Sequence, residues 1–369
     1  MKILFICGCL EPGKDGVGDY CRQLAAEIIR KGYAATIVSY NDAYTQTIEQ
    51  TDQYVDDVGV SVVRIPSKFK SIKKIAGAKA WTQKFNPDWI SVQFVPYAFH
   101  DKGLPFLLSK QLRAIGTDRK WHIMFHELWI GVSTDNLSIK QNLIKYFQKQ
   151  LIYRLIDRLS PKIINTSIAT YERELDFVGC EMLPLFGNIP IVNDAIASLD
   201  GDDLRVVIFG TFSSDLDGFR SQLIWLKSNA IRLKRSLQIT IMGNGGKFKL
   251  ESLAILCQFT DSSKIIDMGL VSEETVSKVF LSAHVGISRA DAQNWGKSGS
   301  TVAMLEHGLN VILRGSKFNS VVHPILDVYA KQLFFVVDDS TTLQYRKSTA
   351  SLLKPVCDIF LDKLTTHNT

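Results

Sequence analysis

No apolar stretch in this sequence approaches the ~20 residues needed to span a membrane, and no residue type is overused in repeats or low-complexity tracts. Cysteine is scarce. The six residues Cys7, Cys9, Cys21, Cys180, Cys257 and Cys357 include no CxxC pair and no accompanying histidine cluster. That excludes a disulfide scaffold, which is short and cysteine-dense, and gives no zinc signature. A reduced, cytoplasmic chain is the reading that remains. The segment Met1–Cys9 carries one lysine and a short apolar run, lacks a small-residue cleavage site and turns at once into Glu11-Pro12-Gly13, so it reads as a buried strand rather than a signal peptide. Charge of one sign is also missing. Lys and Arg total 43 against 37 Asp and Glu, a net of +6 that both halves share, without the excess of a dedicated nucleic-acid binder.

The 369 residues, 46% hydrophobic and 22% charged, have the composition of a soluble globular protein. At ~100–200 residues per domain they predict about two domains. Strand-like and helix-like segments alternate. Lys2–Cys7 is a continuous apolar run. Val17–Lys31 has helical period, with Tyr20, Cys21, Leu24 and Ile28 on one face and Arg22, Gln23, Glu27 and Arg30 opposite. Further strands are predicted at Ala34–Tyr40, Val60–Ile65, Trp89–Phe94, Trp121–Phe125 and Lys162–Thr166. The rhythm breaks over Pro184–Asp203, where Pro190, Asn193, Asp194 and Asp200-Gly201-Asp202-Asp203 read as a linker, and then resumes. Its second run of strands is Leu204–Phe209, Leu237–Met242, Lys264–Asp267, His284–Ser288, Asn310–Leu313 and Leu333–Val337. The expectation is an α/β protein of two Rossmann-like doubly wound domains, residues 1–190 and 191–369, facing a central cleft. In such sheets ligands bind outside the carboxyl ends of the strands, so the strand ends should carry the chemistry.

The first strand end opens into a loop holding Gly8, Gly13, Gly16 and Gly18, followed by a helix. Glycine permits close backbone approach and a helix start offers free amides. Gly16, Val17 and Gly18 are therefore candidates for a diphosphate or sugar cradle, the alternative being a loop with turn glycines. Gly16-x-Gly18-x-x-Cys21 falls one residue short of a dinucleotide fingerprint and starts eight residues after Cys7, whereas that fingerprint starts directly after its strand. Trp89–Phe94 leads into Val95-Pro96-Tyr97, and the next strand end is His126-Glu127-Leu128-Trp129. His126 is placed to donate a hydrogen bond to a sugar hydroxyl or carbonyl, or to cap its loop; His122, inside the strand, reads as core or edge. In the second half the ends are Gly210-Thr211, Gly243-Asn244-Gly245-Gly246, Asp267-Met268-Gly269-Leu270 and Ser288-Arg289. Lys297, Ser298, Gly299, Ser300 and Thr301 then enter a helix, an arrangement suited to an anion. It is not a Walker loop, since the leading glycine would fall at Asp291.

Taken together these segments resemble GT-B glycosyltransferases, most closely the retaining enzymes of family 4. Gly16-Val17-Gly18-Asp19-Tyr20-Cys21-Arg22-Gln23-Leu24-Ala25 is similar to that family's GVGxYxxxLA start. Ile241–Gly245, Asp267–Glu274 and Ala303–Ile312 are similar to its IxGxG, xxGxVsxEE and EAMAxGxPVI segments. The resemblance spans nearly the whole chain and departs from the family at the donor site. Thr211 and Asp217 stand where the family has an Arg and a Lys on the donor diphosphate. Trp295 and Ala303 stand where it has paired glutamates, with Glu306 one turn later.

The resemblance implies a GT-B fold with an acceptor-binding N-terminal and a nucleotide-sugar-binding C-terminal domain. It implies a hexosyl transfer with retention to a glycan or lipid-linked acceptor in surface polysaccharide or glycolipid assembly, with no metal and no cofactor beyond the donor. His126 would touch the donor sugar. Lys297 would supply the missing positive charge, with Arg289 and Arg220 behind it. Gly16, Val17, Gly18, Gly210, Thr211, Ser298, Gly299, Ser300 and Thr301 would line the diphosphate. Gly243, Met268, Leu270 and Glu306 would frame the nucleoside, and Glu11, Gln93, Tyr97 and Trp129 the acceptor. Asp215-Leu216-Asp217 matches DxD by letters only, since acids are common at a helix start. Two other functions fit the same outline: a sugar-nucleotide epimerase, for which His126 and Glu127 are the groups at hand, and a noncatalytic nucleotide-sugar binder.

Two basic stretches stand apart. Lys68–Lys84 holds six lysines and no acid, interleaved with Phe69, Ile72, Ile75 and Trp81. Ser138–Arg158 carries Lys140, Lys145, Lys149, Arg154 and Arg158. Either is a solvated helix face or a contact with an anionic membrane. The second reading makes the chain peripheral on the inner face of the cell membrane.

Overall fold

The structure is a computed structural model and describes residues 1–132, 137–192, 200–315, 323–335, 343 and 348–367. Asn193 and Asp194 of the expected linker, and the last two residues of the strand expected over Leu333–Val337, lie outside these. The chain divides into two compact units, Met1–Leu183 with Leu353–Thr369, and Pro184–Leu352.

The first unit is built on eight strands: β1 (Lys2–Cys7), β2 (Ala34–Asp42), β3 (Glu49–Val55), β4 (Val58–Pro66), β5 (Trp89–Phe94), β6 (Lys120–Phe125), β7 (Ile163–Thr166) and β8 (Glu181–Met182). Their order is β3-β4-β2-β1-β5-β6-β7-β8. All neighbours are parallel except the hairpin β3–β4. Its helices are α1 (Gly16–Arg30), α2 (Ser71–Phe85), α3 (Pro96–Phe99), α4 (Leu108–Ile115), α5 (Ile139–Leu159) and α6 (Ala169–Glu174). The order in which strands are added reverses between β1 and β5, which makes their carboxyl ends the switch point of this sheet.

Burial on both faces explains the apolar runs in the strands. Along β5, Ile90, Val92 and Phe94 join a core with Leu108 and Leu112 of α4 and Ile152 and Leu155 of α5. Ser91 and Gln93 point to the other face by the strand's period of two. The polar side of α1 does not meet solvent as the periodicity predicted, for Arg22, Gln23 and Glu27 are all buried. Two elements that the periodicity did not reveal account for it. The hairpin brings Gln53 onto Arg22 at 3.0 Å, and the terminal helix packs against α1.

The second unit is a six-stranded parallel sheet of β9 (Asp203–Thr211), β10 (Ser236–Gly245), β11 (Ile265–Asp267), β12 (Val285–Asp291), β13 (Asn310–Arg314) and β14 (Leu333–Phe335). The order is β11-β10-β9-β12-β13-β14, so its switch point lies between β9 and β12. Helices α7 (Leu216–Arg232), α8 (Lys249–Leu256), α9 (Glu273–Ser282) and α10 (Gly299–Glu306) cover it. Gln222 of α7, fully buried, donates to Ser288 and Ile312 carbonyl oxygens at 2.8 and 2.9 Å and ties α7 to the middle of β12 and β13.

The last helix, α11 (Leu353–Thr366), was counted with the second domain by sequence and belongs instead to the first unit. Val356, Phe360 and Leu364 are buried there, and each such side chain removed from water contributes about 1.5–3 kcal/mol. Phe360 packs on Phe5 and on the His122 ring, and Lys31 pairs with Asp358 at 2.6 Å.

Candidate functional site

In the first unit the loop after β1 is held from below by one carboxylate. Asp42, at the end of β2 and fully buried, accepts from the Leu10 amide, the Ser39 hydroxyl and the Arg64 guanidinium at 2.8–3.1 Å. These hydrogen bonds keep its carboxyl below the usual carboxylate range despite burial. Arg64 reaches on to Glu11 at 2.7 Å, so the Glu11 expected to meet an acceptor is an ion-pair partner that stays a third exposed. Asp19 and Arg22 pair on the first turns of α1, and Asp19 also accepts from the Gly13 amide of the loop at 3.2 Å.

The helix start behaves differently from an open anion cradle. Asp15 is the N-cap of α1, and its Oδ1 accepts from the amides of both Val17 and Gly18 at 2.9 Å. Burial pushes the Asp15 carboxyl up while those two bonds oppose it. Its side chain occupies the place an incoming phosphate would take. Gly18 is required for another reason. A Cβ there would sit 2.3 Å from the Cys9 carbonyl oxygen, so the loop folds back on its own helix.

His126 leaves the end of β6 with its ring edge-on to Tyr20 of α1 at 5.1 Å. It is 7% exposed, and burial drives its imidazole down to about 3, so it is neutral. Its Nε2 lies 2.8 Å from Gln93 Oε1. Gln93 is thereby committed inside the sheet rather than to an acceptor, as its own 1% exposure shows. Trp129 is likewise buried, stacked edge-on to Tyr153 with Lys149 Nζ 4.7 Å over its ring. It packs the core and is not open to an acceptor. Of the four expected acceptor contacts, Tyr97 on α3 is the most exposed, at 45%. A cavity of about 570 Å³ opens instead among Asn41, Ser67, Lys68, Lys74, His100 and Phe106. Lys74 Nζ donates to Asn41 Oδ1 there at 2.7 Å.

In the second unit the strand ends meet at the switch point. Gly243 holds φ of +105°, and a Cβ on it would come within 2.9 Å of the Gly210 carbonyl oxygen. The ends of β9 and β10 therefore approach as bare backbone. Thr211, where the family resemblance implies Arg, receives a hydrogen bond of 2.8 Å from the Arg289 guanidinium at the end of β12. A positive charge thus stands over the carboxyl end of β9, delivered from the neighbouring strand. Arg314 accompanies it by donating to the Arg289 carbonyl oxygen at 2.6 Å and pairing with Asp215 at 2.8 Å. Arg220 is turned to Gln258 at 2.6 Å.

The start of α10 is partly occupied. Ser298 is its N-cap and takes the Thr301 hydroxyl at 2.8 Å, and Thr301 is fully buried against Ser288 at 2.6 Å. Thr301 is thus a packing and capping residue. Lys297, Ser298, Gly299 and Ser300 keep part of their surface exposed. Leu270, 68% exposed beside Met268 and Gly269, offers an apolar ledge. Glu306, expected to frame the nucleoside, is turned into the interior. It is 1% exposed, and its Oε1 accepts from the Gly187 and Leu352 amides at 3.1 and 2.9 Å, stapling the two ends of this unit to α10. Burial lifts its carboxyl to about 8 against the opposing pull of those two amides.

No protein-family model and no curated protein sequence matches the chain. Solved structures do. Sucrose-phosphate synthase from Thermosynechococcus elongatus is 14% identical, with a TM-score of 0.59 over 99% of this chain and 90% of that one. HepE from Anabaena, in complex with UDP and glucose, is 13% identical, with a TM-score of 0.57 over 99% and 91%. At these identities the likeness carries the architecture alone.

The fold is GT-B.

A third neighbour, the UDP-GlcNAc 2-epimerase of Methanocaldococcus jannaschii, shares it at 9% identity, with a TM-score of 0.53 over 99% of this chain and all of that one. Within this GT-B chain the sequence reading missed Asp15, Arg64 and the reach of Arg289 to Thr211. The acidic residue just before the α1 period was a capping signal; nothing local in the sequence signals Arg289 at Thr211.

Proposed function

We propose that the chain is a metal-independent glycosyltransferase that moves a hexose from a nucleotide sugar to a glycan or lipid-linked acceptor, with retention, in surface polysaccharide or glycolipid assembly. The observation that carries this is the Arg289 guanidinium on Thr211, at the carboxyl ends of β9 and β12 where the strand order switches. A diphosphate leaving group gains negative charge as the glycosidic bond to it breaks, and a fixed cation there stabilises the transition state more than the ground state. Lys297 and the amides of Gly299 and Ser300 supply the second side of that cradle. Met268 and Leu270 frame the base, and Gly210 and Gly243 admit the nucleotide to the backbone. HepE, with the same fold, is seen with UDP and glucose, which makes UDP-glucose the first donor to try.

The test is calorimetric titration with a panel of nucleotide sugars, followed by product analysis. Arg289→Ala is expected to weaken binding of the recognised donor at least tenfold and to lower turnover more than affinity. Unchanged affinity and turnover would remove Arg289 from the site. Sugar transfer supports the proposal, product isomers would support the epimerase seen among the neighbours, and binding without turnover would support a noncatalytic binder.

The cavity beside Asn41 and Lys74 is the proposed acceptor pocket, with Tyr97 and Glu11 nearer the β1 and β5 ends. An anionic membrane is the proposed docking partner of the same unit. Helix α4 packs between α2 and α5, so both basic stretches border one layer. That layer exposes Ile72, Phe106, Leu107, Ile139, Leu143 and Tyr146 next to Lys68, Lys70, Lys73, Lys79 and Lys140. Apolar side chains that enter the acyl boundary, ringed by lysines, fit an anionic bilayer surface. No helix among the described residues is long and apolar enough to cross one. Co-sedimentation with vesicles containing anionic lipid at low salt should retain the protein, and charge reversal at Lys68, Lys73 and Lys79 should release it. No retention at low salt would end the membrane reading.

A further inference from the structure

A buried chain of polar side chains runs behind His126 through four strands. Gln93 and Ser91 sit two residues apart on β5. His122 faces Ser91 across the β5–β6 register, and Asn165 lies diagonally on β7. His126 Nε2 meets Gln93 Oε1 at 2.8 Å, Gln93 Nε2 donates to Ser91 Oγ at 2.7 Å, and Ser91 Oγ meets His122 Nδ1 at 2.7 Å. His122 Nε2 meets Asn165 Oδ1 at 3.2 Å, and Asn165 Nδ2 donates to the Glu181 backbone carbonyl at 3.0 Å. Ser91, Gln93, His122 and Asn165 are at most 1% exposed.

The far end sets the direction of every bond. A backbone carbonyl only accepts, so Asn165 must present Nδ2 to it and Oδ1 to His122. His122 then carries its proton on Nε2 and accepts at Nδ1 from the Ser91 hydroxyl. That hydroxyl has one proton, already given, so Ser91 can only accept from Gln93. Gln93 is left with its oxygen toward His126, which must donate from Nε2. Burial keeps both imidazoles neutral, so Nδ1 of His126 is a bare lone pair. Among the described residues it has no hydrogen-bond partner. Reversing the chain would set two acceptors against each other at Glu181 or leave a buried polar group unmet, and either is costly.

We infer that Ser91, His122 and Asn165 are positioning residues that fix His126 as a hydrogen-bond acceptor at Nδ1, so that the ligand group it meets is a donor, a sugar hydroxyl or an amine, and not a carbonyl, carboxylate or phosphate oxygen. This reverses the role the sequence suggested, since the one N–H of the ring is consumed inside the sheet. The claim about the tautomer stands on the hydrogen bonds alone; the claim about the ligand rests on the glycosyltransferase reading.

The test uses the full chain labelled with ring-¹⁵N histidine and a multiple-bond ¹H–¹⁵N correlation, with His126→Gln to assign the signal. His126 should show a protonated Nε2 and an unprotonated Nδ1 throughout pH 5–8. Ser91→Ala should turn that single form into a mixture, because Gln93 then loses its reason to face one way, and Ser91→Thr should restore it. A proton on Nδ1 in the wild type, or a single unchanged form in Ser91→Ala, overturns the inference. Titration with UDP-glucose and then the donor panel is the separate arm. A shift at His126 Nδ1 on binding supports the contact. The expected tautomer with no shift on donor binding leaves the positioning role in place and counts against His126 as a sugar contact.

Discussion

Replacing Glu306 by Gln should stabilise the protein at alkaline pH and leave it nearly unchanged at pH 4.5. The carboxyl is 1% exposed, is paired with two backbone amides and, among the described residues, with no cation, and is pushed up to about 8 from 4.5. A native carboxyl that holds its proton more tightly than the unfolded chain makes stability fall as pH rises. The loss begins near pH 4.5, grows to pH 8 and then levels. At 1.36 kcal/mol per unit, the gap amounts to about 5 kcal/mol. Glutamine keeps an oxygen for both amides and has no charge to bury. Urea unfolding of the two full chains at pH 4.5, 6.5 and 8.5 isolates the effect, because all other titrations cancel in the difference. The variant's advantage should grow by several kcal/mol across that range while donor affinity stays the same. A difference independent of pH would refute the reasoning. A tenfold loss of donor affinity with no stability change would return Glu306 to the nucleoside.

Three further outcomes follow from the geometry. His122 and His126, both held near 3 by burial, stay neutral in the fold while the unfolded chain takes up protons below pH 6.5. Stability should therefore fall as pH drops from 6.5 toward 3 with a slope approaching two protons, and His122→Gln should remove one of them in urea titrations. Asp15→Ala removes the double cap of α1 and should cost about 1 kcal/mol, read by denaturant midpoint; no change would mean water replaces the carboxylate at no cost. Phe360→Ala empties a fully buried site against Phe5 and should cost about 3–5 kcal/mol, read as a loss confined to amides of the first unit in hydrogen exchange. Equal loss in the second unit would contradict the assignment of α11.

Most of the parallel sheets could be read from the sequence because strands buried on both faces are continuous apolar runs bounded by glycine. Strand β3 was invisible for the opposite reason. Glu49–Val55 is polar through Gln53 and lies at a sheet edge, held by pairing with β4 and not by burial. At the sites, loops and strand ends were legible, but which polar groups were already spoken for was not. Asp15 fills the amides of Val17 and Gly18, Gln93 is turned inward, and Glu306 staples Gly187 and Leu352, 119 and 46 positions away. Asp15 is a local cap that its place before the α1 period signals, whereas the other two depend on partners distant in sequence or on a side-chain direction that periodicity does not carry. Arg289 shows the converse. The resemblance implied an Arg at position 211, and the fold sets the Arg289 guanidinium against the threonine that stands there.

The return of α11 to the first unit also bears on the order in which the protein is made. During synthesis the residues that pack beneath β1 and His122 leave the ribosome after the whole of the second unit. Domains form as units once their residues are available. The contiguous stretch Pro184–Leu352 can complete its core while the older, N-terminal sheet still lacks Phe360. That sheet would wait with one face open through the translation of the second unit. A nascent chain stalled before residue 353 should accordingly be protease-sensitive in the part that emerged first.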